Sequence, residues 1–78
     1  MLGIRLAELR KKLKLRQEDL AKRIGVARTT YAMYEQGKRE PDYETLQKIA
    51  DFFGVSIDYL LGRIDDPNFD NKIDDEIE

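Results

Sequence analysis

Four of the chain's five glycines, Gly25, Gly37, Gly54 and Gly62, each close a short stretch in which apolar residues recur every three or four positions. Glycine enters the left-handed conformation that ends a helix without steric cost, so these positions limit each segment to a few turns. Side chains three and four apart share one helical face. Leu2, Leu6, Leu9 and Leu13 mark such a face on a first helix running to about Leu13. A second helix, about Gln17 to Ile24, has Glu18 and Asp19 in its first turn, Leu20, Ala21 and Ile24 on one face, and Lys22 and Arg23 near its end. That order of charges complements a helix dipole. A third spans about Arg28 to Gln36, with Tyr31 and Tyr34 inward. Pro41 interrupts any helix after it, and Asp42 is placed to cap a fourth over about Tyr43 to Phe53, whose buried stripe is Leu46, Ile49, Ala50 and Phe53. Ser56 caps a short fifth helix. Alternation of period two never persists, so the predicted fold class is all-α, with five helices.

A length of 78 residues allows one small domain, expected over 1–62, with 63–78 as an acidic tail or linker. Within that tail Phe69, Ile73 and Ile77 fall at i, i+4 and i+8, the alternative being a weak amphipathic helix that docks on the body or on a second copy. The chain has no Cys and no His, which removes the soft metal ligands, disulfides, thiol nucleophiles and any Ser-His-Asp arrangement; Ser56 is its only serine. The adjacent acids Asp65-Asp66 and Asp74-Asp75-Glu76 have no base beside them. No enzyme activity, metal or cofactor is expected. Apolar runs are short and the start lacks the plan of a signal peptide, so the expectation is a cytoplasmic protein with no membrane contact.

The formal net charge of -2 conceals an asymmetry. Residues 1–39 carry eleven Lys and Arg against four acids, whereas from Arg63 onward seven acids face only Arg63 and Lys72. A low overall pI therefore does not argue against a polyanionic partner, because the electrostatic footprint that counts is local. The outer face of the third helix sharpens the point. It displays Arg28, Thr29, Thr30 and Met33, and threonine is a mediocre helix former, so this face is not composed for helix stability.

The second and third helices, joined by "GVA", match a helix-turn-helix in length and in the glycine within the turn. The run "QEDLAKRIGVARTTYAMYEQGKREPDYETLQKIADFFGVSIDYLLG" places Gln17, Leu20-Ala21, Gly25-Val26, Tyr34-Glu35, Gly37, Pro41 and "GVSIDYLLG" together in register. In this it resembles the phage repressor and Cro type of helix-turn-helix domain, also called the xenobiotic-response-element type, over about Met1 to Gly62. The resemblance implies a compact five-helix, lambda-repressor-like domain. It implies double-stranded DNA as partner, a homodimer on a palindromic operator with half-sites about 34–36 Å apart, and a third helix entering the major groove. Repression through steric overlap with polymerase follows; activation is the variant.

Site residues are then expected as follows. Arg28, at the start of the third helix, reads guanine through O6 and N7; Thr29 and Met33 offer a hydroxyl and apolar contacts suited to thymine. Thr30 reaches sugar or phosphate. Gln17 matches the family position that meets a phosphate at the start of the second helix, and Gln36, Lys38 and Arg39 contact the backbone on the other side. Arg5, Lys11, Lys12, Lys14, Arg16 and Lys22 form a basic surface, either backbone-contacting or merely solvated. Arg10 and Glu35 match positions that pair across the first and third helices. Tyr31 and Tyr34 read as core rather than as base-stacking aromatics. Tyr59, Leu60 and Leu61 sit where the resemblance places the dimer surface, so Val55, Ile57 and Tyr59 are the candidates for partial exposure there, the alternative being core packing alone. Three positions depart from the family's usual residues: Lys14 stands where Gly ends the first helix, Arg16 where Ser or Thr caps the second, and Ala27 where Ser caps the third. Lys14 is thereby expected at positive φ, and Arg16 to add a phosphate contact. The competing reading is an antitoxin or adaptor that uses the same helices to hold a protein, with a toxin or anti-repressor as partner.

Overall fold

The computed structural model describes residues 1–65; the tail beyond, with the Phe69, Ile73 and Ile77 stripe and the Asp74-Asp75-Glu76 cluster, lies outside the described residues. Five helices follow in order, α1 (Leu2–Lys12), α2 (Gln17–Ile24), α3 (Arg28–Gln36), α4 (Tyr43–Phe53) and α5 (Ile57–Leu60), and no strand occurs among the described residues. The bounds of α2, α3 and α4 are those the sequence predicts. One core serves all five helices: Leu6 from α1, Leu20, Ala21 and Ile24 from α2, Tyr31 and Tyr34 from α3, Ile49 and Ala50 from α4, and Leu60 from α5. Leu2, Leu9, Leu46, Phe53, Val55 and Ile57 lie partly buried against it. The third helix packs on both α2 and α1, while α4 packs on α2 and α5, and α5 returns to α1.

Each of the five described helices closes with the same pair of backbone bonds. A left-handed residue at its end donates to a carbonyl three back and the next residue to one five back, as in Gly25 N–H to Lys22 O at 3.3 Å and Val26 N–H to Ala21 O at 3.0 Å. This double closure needs a left-handed residue, which Gly25 supplies at φ 78°. For α1 that residue is Lys14, at φ 59°, with Lys14 N–H bonded to Lys11 O and Leu15 N–H to Arg10 O. The expectation of positive φ at Lys14 therefore holds. The same closure corrects the leucine stripe: α1 stops at Lys12, the chain turns at Leu13, and Leu13 is left 54% exposed instead of continuing the buried face.

Helix starts follow the expected capping pattern. Asp42 accepts from Thr45 N–H at 2.8 Å and Ser56 Oγ from Tyr59 N–H at 3.0 Å, each satisfying an otherwise unpaired amide of a first turn. Ala27 offers no side-chain cap to α3. Arg16 cannot cap α2 with its own donor-only side chain, but the Asp19 carboxylate reaches back to the Arg16 N–H at 2.9 Å. Half of a capping box thus replaces the missing serine or threonine.

Candidate nucleic-acid interface

The rotation of α3 about its axis is set by two tyrosines. Tyr31 is wholly buried and Tyr34 nearly so, their rings meeting edge to face at 6.1 Å between centroids. With 31 and 34 turned into the core, the helical period leaves Arg28, Thr29 and Gln36 on the outside, all exposed, and Thr30 and Met33 half-buried at the margin. Among the described residues Arg28 and Thr29 have no side-chain hydrogen-bond or ion-pair partner, so their exposed polar groups are left to solvent. Directly after α3 the loop bearing Lys38 and Arg39 is also exposed.

Behind this face lies a polar cluster that joins three helices. Arg10 of α1 donates through Nε to Glu35 Oε2 at 2.7 Å and through a terminal nitrogen to Oε1 at 3.1 Å, and its other terminal nitrogen reaches the Leu15 carbonyl at 2.9 Å. Gln17 at the start of α2 donates its side-chain amide to Glu35 Oε1 at 3.0 Å. The charged pair is only 13% and 9% exposed. Burial pushes the Glu35 carboxyl upward, but the Arg10 hydrogen bond, with help from Tyr31 and Gln17, outweighs it and holds the group below its ordinary value. Glu35 in turn raises Arg10. The Tyr31 hydroxyl is buried beside the same charges but without a well-aligned hydrogen-bond partner; burial first, and the Glu35 carboxylate second, drive its pKa far above the usual phenol value.

Of the expected site residues, Arg28, Thr29, Gln36, Lys38 and Arg39 are exposed along α3 and the loop after it, Met33 is half-buried, and Gln17 is half-buried with its side-chain amide on Glu35. Arg16 stands exposed at the start of α2, but its guanidinium is already held by Asp19 at 3.2 Å and lies 3.8 Å from Glu18. Val55, Ile57 and Tyr59 are half-buried around α5.

Two expectations are corrected. Leu60 is wholly buried in the core, because α5 turns that side chain toward α1, and it is no part of a surface; Leu61 beside it is 43% exposed. Arg5 does not belong to the basic surface. It is 9% exposed, its guanidinium lies 4.0 Å from the centre of the Tyr59 ring, and it donates to the Ile64 carbonyl at 3.3 Å and to Asp65 Oδ1 at 2.7 Å. The signal was present in the spacing: Arg5 stands three after Leu2 and four before Leu9, on the apolar stripe.

No group of three or more potential metal ligands occurs among the described residues. No described helix is long and apolar enough to cross a membrane.

Comparison with known proteins gives a consistent result. A family model described as helix-turn-helix matches residues 6–60. The chain is 46% identical over 61 residues to the uncharacterized HTH-type transcriptional regulator YqaE of Bacillus subtilis, covering 78% of this chain and 53% of that protein. It is 38% identical over 77 residues to the cryptic phage CTXphi transcriptional repressor RstR of Vibrio cholerae, covering 99% and 68%. Among solved structures, the DNA-binding domain of the P22 C2 repressor superposes with a TM-score of 0.72 at 38% identity, over 78% of this chain and 80% of that one. The chain thus spans little more than half the length of YqaE.

Proposed function

The chain belongs to the helix-turn-helix family of transcriptional regulators, and from that membership we propose that it is a sequence-specific, double-stranded-DNA-binding repressor that reads a palindromic operator as a homodimer through α3. The observation that carries this reading is the outward face of α3, whose Arg28 and Thr29 have no side-chain hydrogen-bond partner among the described residues while the two tyrosines behind them lock the helix in place. Arg28 pairs with a guanine edge, and Thr29 and Met33 lie against neighbouring bases. Thr30, Gln17, Gln36, Lys38 and Arg39 meet sugar and phosphate on either side and fix the register. Arg16 joins them on exchanging its acidic neighbours for a phosphate. The half-buried Val55, Ile57 and Tyr59 around α5 form the seam between protomers.

Selection of bound sites from random duplexes tests the proposal. The recovered sites should contain inverted halves about 10 base pairs apart, matching one helical turn. On the best site Arg28→Ala should cost about 1–3 kcal/mol and relax the preference at one base pair. Lys38→Ala should weaken every sequence alike and reduce the salt slope by about 0.9. Should both variants weaken all sequences equally, the division between base reading and phosphate contact is wrong; should the wild-type chain prefer no sequence at all, the function is wrong.

A further inference from the structure

The first turn of α1 lies against the last turn of α3 with no side chain between them. A Cβ placed on Gly3 would stand 2.9 Å from the Tyr34 carbonyl oxygen and 2.9 Å from the Glu35 carbonyl carbon, and closer still to the Glu35 oxygen. These obstacles are backbone atoms, which cannot swing aside as the tip of a long side chain would. Gly3 is not among the positive-φ residues, so its conformation does not call for glycine. Inside a helix glycine is also locally unfavourable, by about 0.5–1 kcal/mol relative to alanine. What Gly3 supplies is the close approach alone.

The place of that approach matters. Tyr34 anchors α3 in the core, and Glu35 is the centre of the cluster with Arg10 and Gln17. The Tyr34 carbonyl accepts from Gly37 N–H at 3.2 Å in the closure that launches the loop to Lys38 and Arg39. The amino end of α3 is tied to α2 by the short turn around Gly25. Its carboxyl end rests on Gly3. The two attachments together set the tilt of the helix.

We infer that Gly3 is a positioning residue for DNA recognition: the missing side chain fixes the seat of the carboxyl end of α3, and with it the angle at which Arg28, Thr29 and Met33 meet the groove. The inference rests on the DNA-binding reading above and adds a specificity determinant far from the bases. Base-edge hydrogen bonds tolerate little displacement, whereas lysine and arginine follow a phosphate across several conformations. Gly3 therefore governs discrimination between operator and unrelated duplex more than affinity for DNA as such.

The test measures, at one salt concentration, affinity for the selected operator and for an unrelated duplex with wild type, Gly3→Ala and, as control, Gly54→Ala, whose added Cβ meets open space at a left-handed position. Gly3→Ala should lower operator affinity at least ~10-fold, the scale of one lost base contact, while affinity for the unrelated duplex stays within about 2-fold. Gly54→Ala, a purely structural lesion, should leave the ratio unchanged, since loss of folded protein lowers both affinities equally. Where Gly3→Ala fails to fold, deletion of residues 1–3 removes the seat instead of obstructing it, and should lower the ratio in the same way. Amide chemical shifts supply a readout without DNA: Gly3→Ala, or the deletion, should move signals from residues 28–39 more than those of α4. A wild-type ratio in the variant, or undisturbed α3 amides, overturns the inference. Lack of discrimination by the wild type, with α3 amides displaced by the substitution, overturns the DNA reading and leaves the seat of α3 standing.

Discussion

Glu35 receives hydrogen bonds from Arg10 on α1 and Gln17 on α2, so a single carboxylate holds three helices in register. Removing Arg10 would strand this charge at a site only 9% exposed, and Arg10→Ala should cost about 3–5 kcal/mol in urea unfolding, where Lys12→Ala on the exposed side of α1 costs less than about 0.5 kcal/mol. The pH dependence has a definite sign. Because the folded Glu35 carboxyl lies below its ordinary 4.5, its contribution is complete above that pH and is lost as pH falls through the lower folded value. Unfolding measured across this acid window should show a shallower loss in Glu35→Gln, from a lower plateau at neutral pH. Tyr31 has the opposite sense: its raised pKa means the folded chain keeps a proton that the unfolded chain releases above about pH 10, so stability falls as pH rises from there. Its hydroxyl also lacks a good partner, so Tyr31→Phe should leave neutral-pH stability unchanged or raise it by up to about 1 kcal/mol, and should blunt the alkaline loss. A loss above about 2 kcal/mol would show that the hydroxyl is better satisfied than its geometry indicates. The Arg10 and Glu35 pair was expected from the resemblance; Tyr31 was legible only as core, because sequence gives the face of a side chain and not the neighbours of its hydroxyl.

At the scale of elements, caps and stops carried most of what could be read. The bounds of α2, α3 and α4 coincide with glycine closures at one end and, for α4, with the Asp42 cap at the other; these are local signals that need no tertiary information. The end of α1 was less legible. The leucine spacing continues to Leu13, whereas the backbone has already turned, and a lysine occupies the left-handed position. A residue with a Cβ costs about 1–2 kcal/mol there, partly offset by the greater freedom that glycine has in the unfolded chain. Lys14→Gly should accordingly raise stability by about 0.5–1 kcal/mol, seen as a melting temperature several degrees higher, with DNA affinity lowered only if Lys14 touches phosphate. The outward face of α3 was legible in kind, since its threonines and arginine do nothing for the helix. Its exact aim was not, because that depends on Gly3, which looks unremarkable in a sequence where four other glycines are stops.

For the molecule as a whole, the basic excess in residues 1–39 was visible from composition, but not its division into exposed and inward-drawn charges. Arg28, Lys38 and Arg39 point outward; Arg5 is drawn inward across α5 to the segment that follows it. That contact spans sequence separations of 59 and 60, beyond any local pattern. Most of the value of Arg5 should come from its buried stem, its stacking on Tyr59 and the bond to the Ile64 carbonyl, since Asp65 is 96% exposed and its ion pair is screened by water. Arg5→Ala is therefore expected to destabilise the fold by about 1–3 kcal/mol while Asp65→Ala changes it by less than about 0.5 kcal/mol, both read from thermal unfolding.

The start of the chain also packs on Gly62, where an added Cβ would run into the Met1 side chain. With Met1 against Gly62 and Arg5 bridging to Ile64 and Asp65, the two ends of the five-helix body, residues 1–65, lie side by side. A brief linker joining residue 65 to residue 1, with the break moved to an exposed loop, should therefore give a circular permutant of that body that unfolds as cooperatively as the original, read by thermal unfolding.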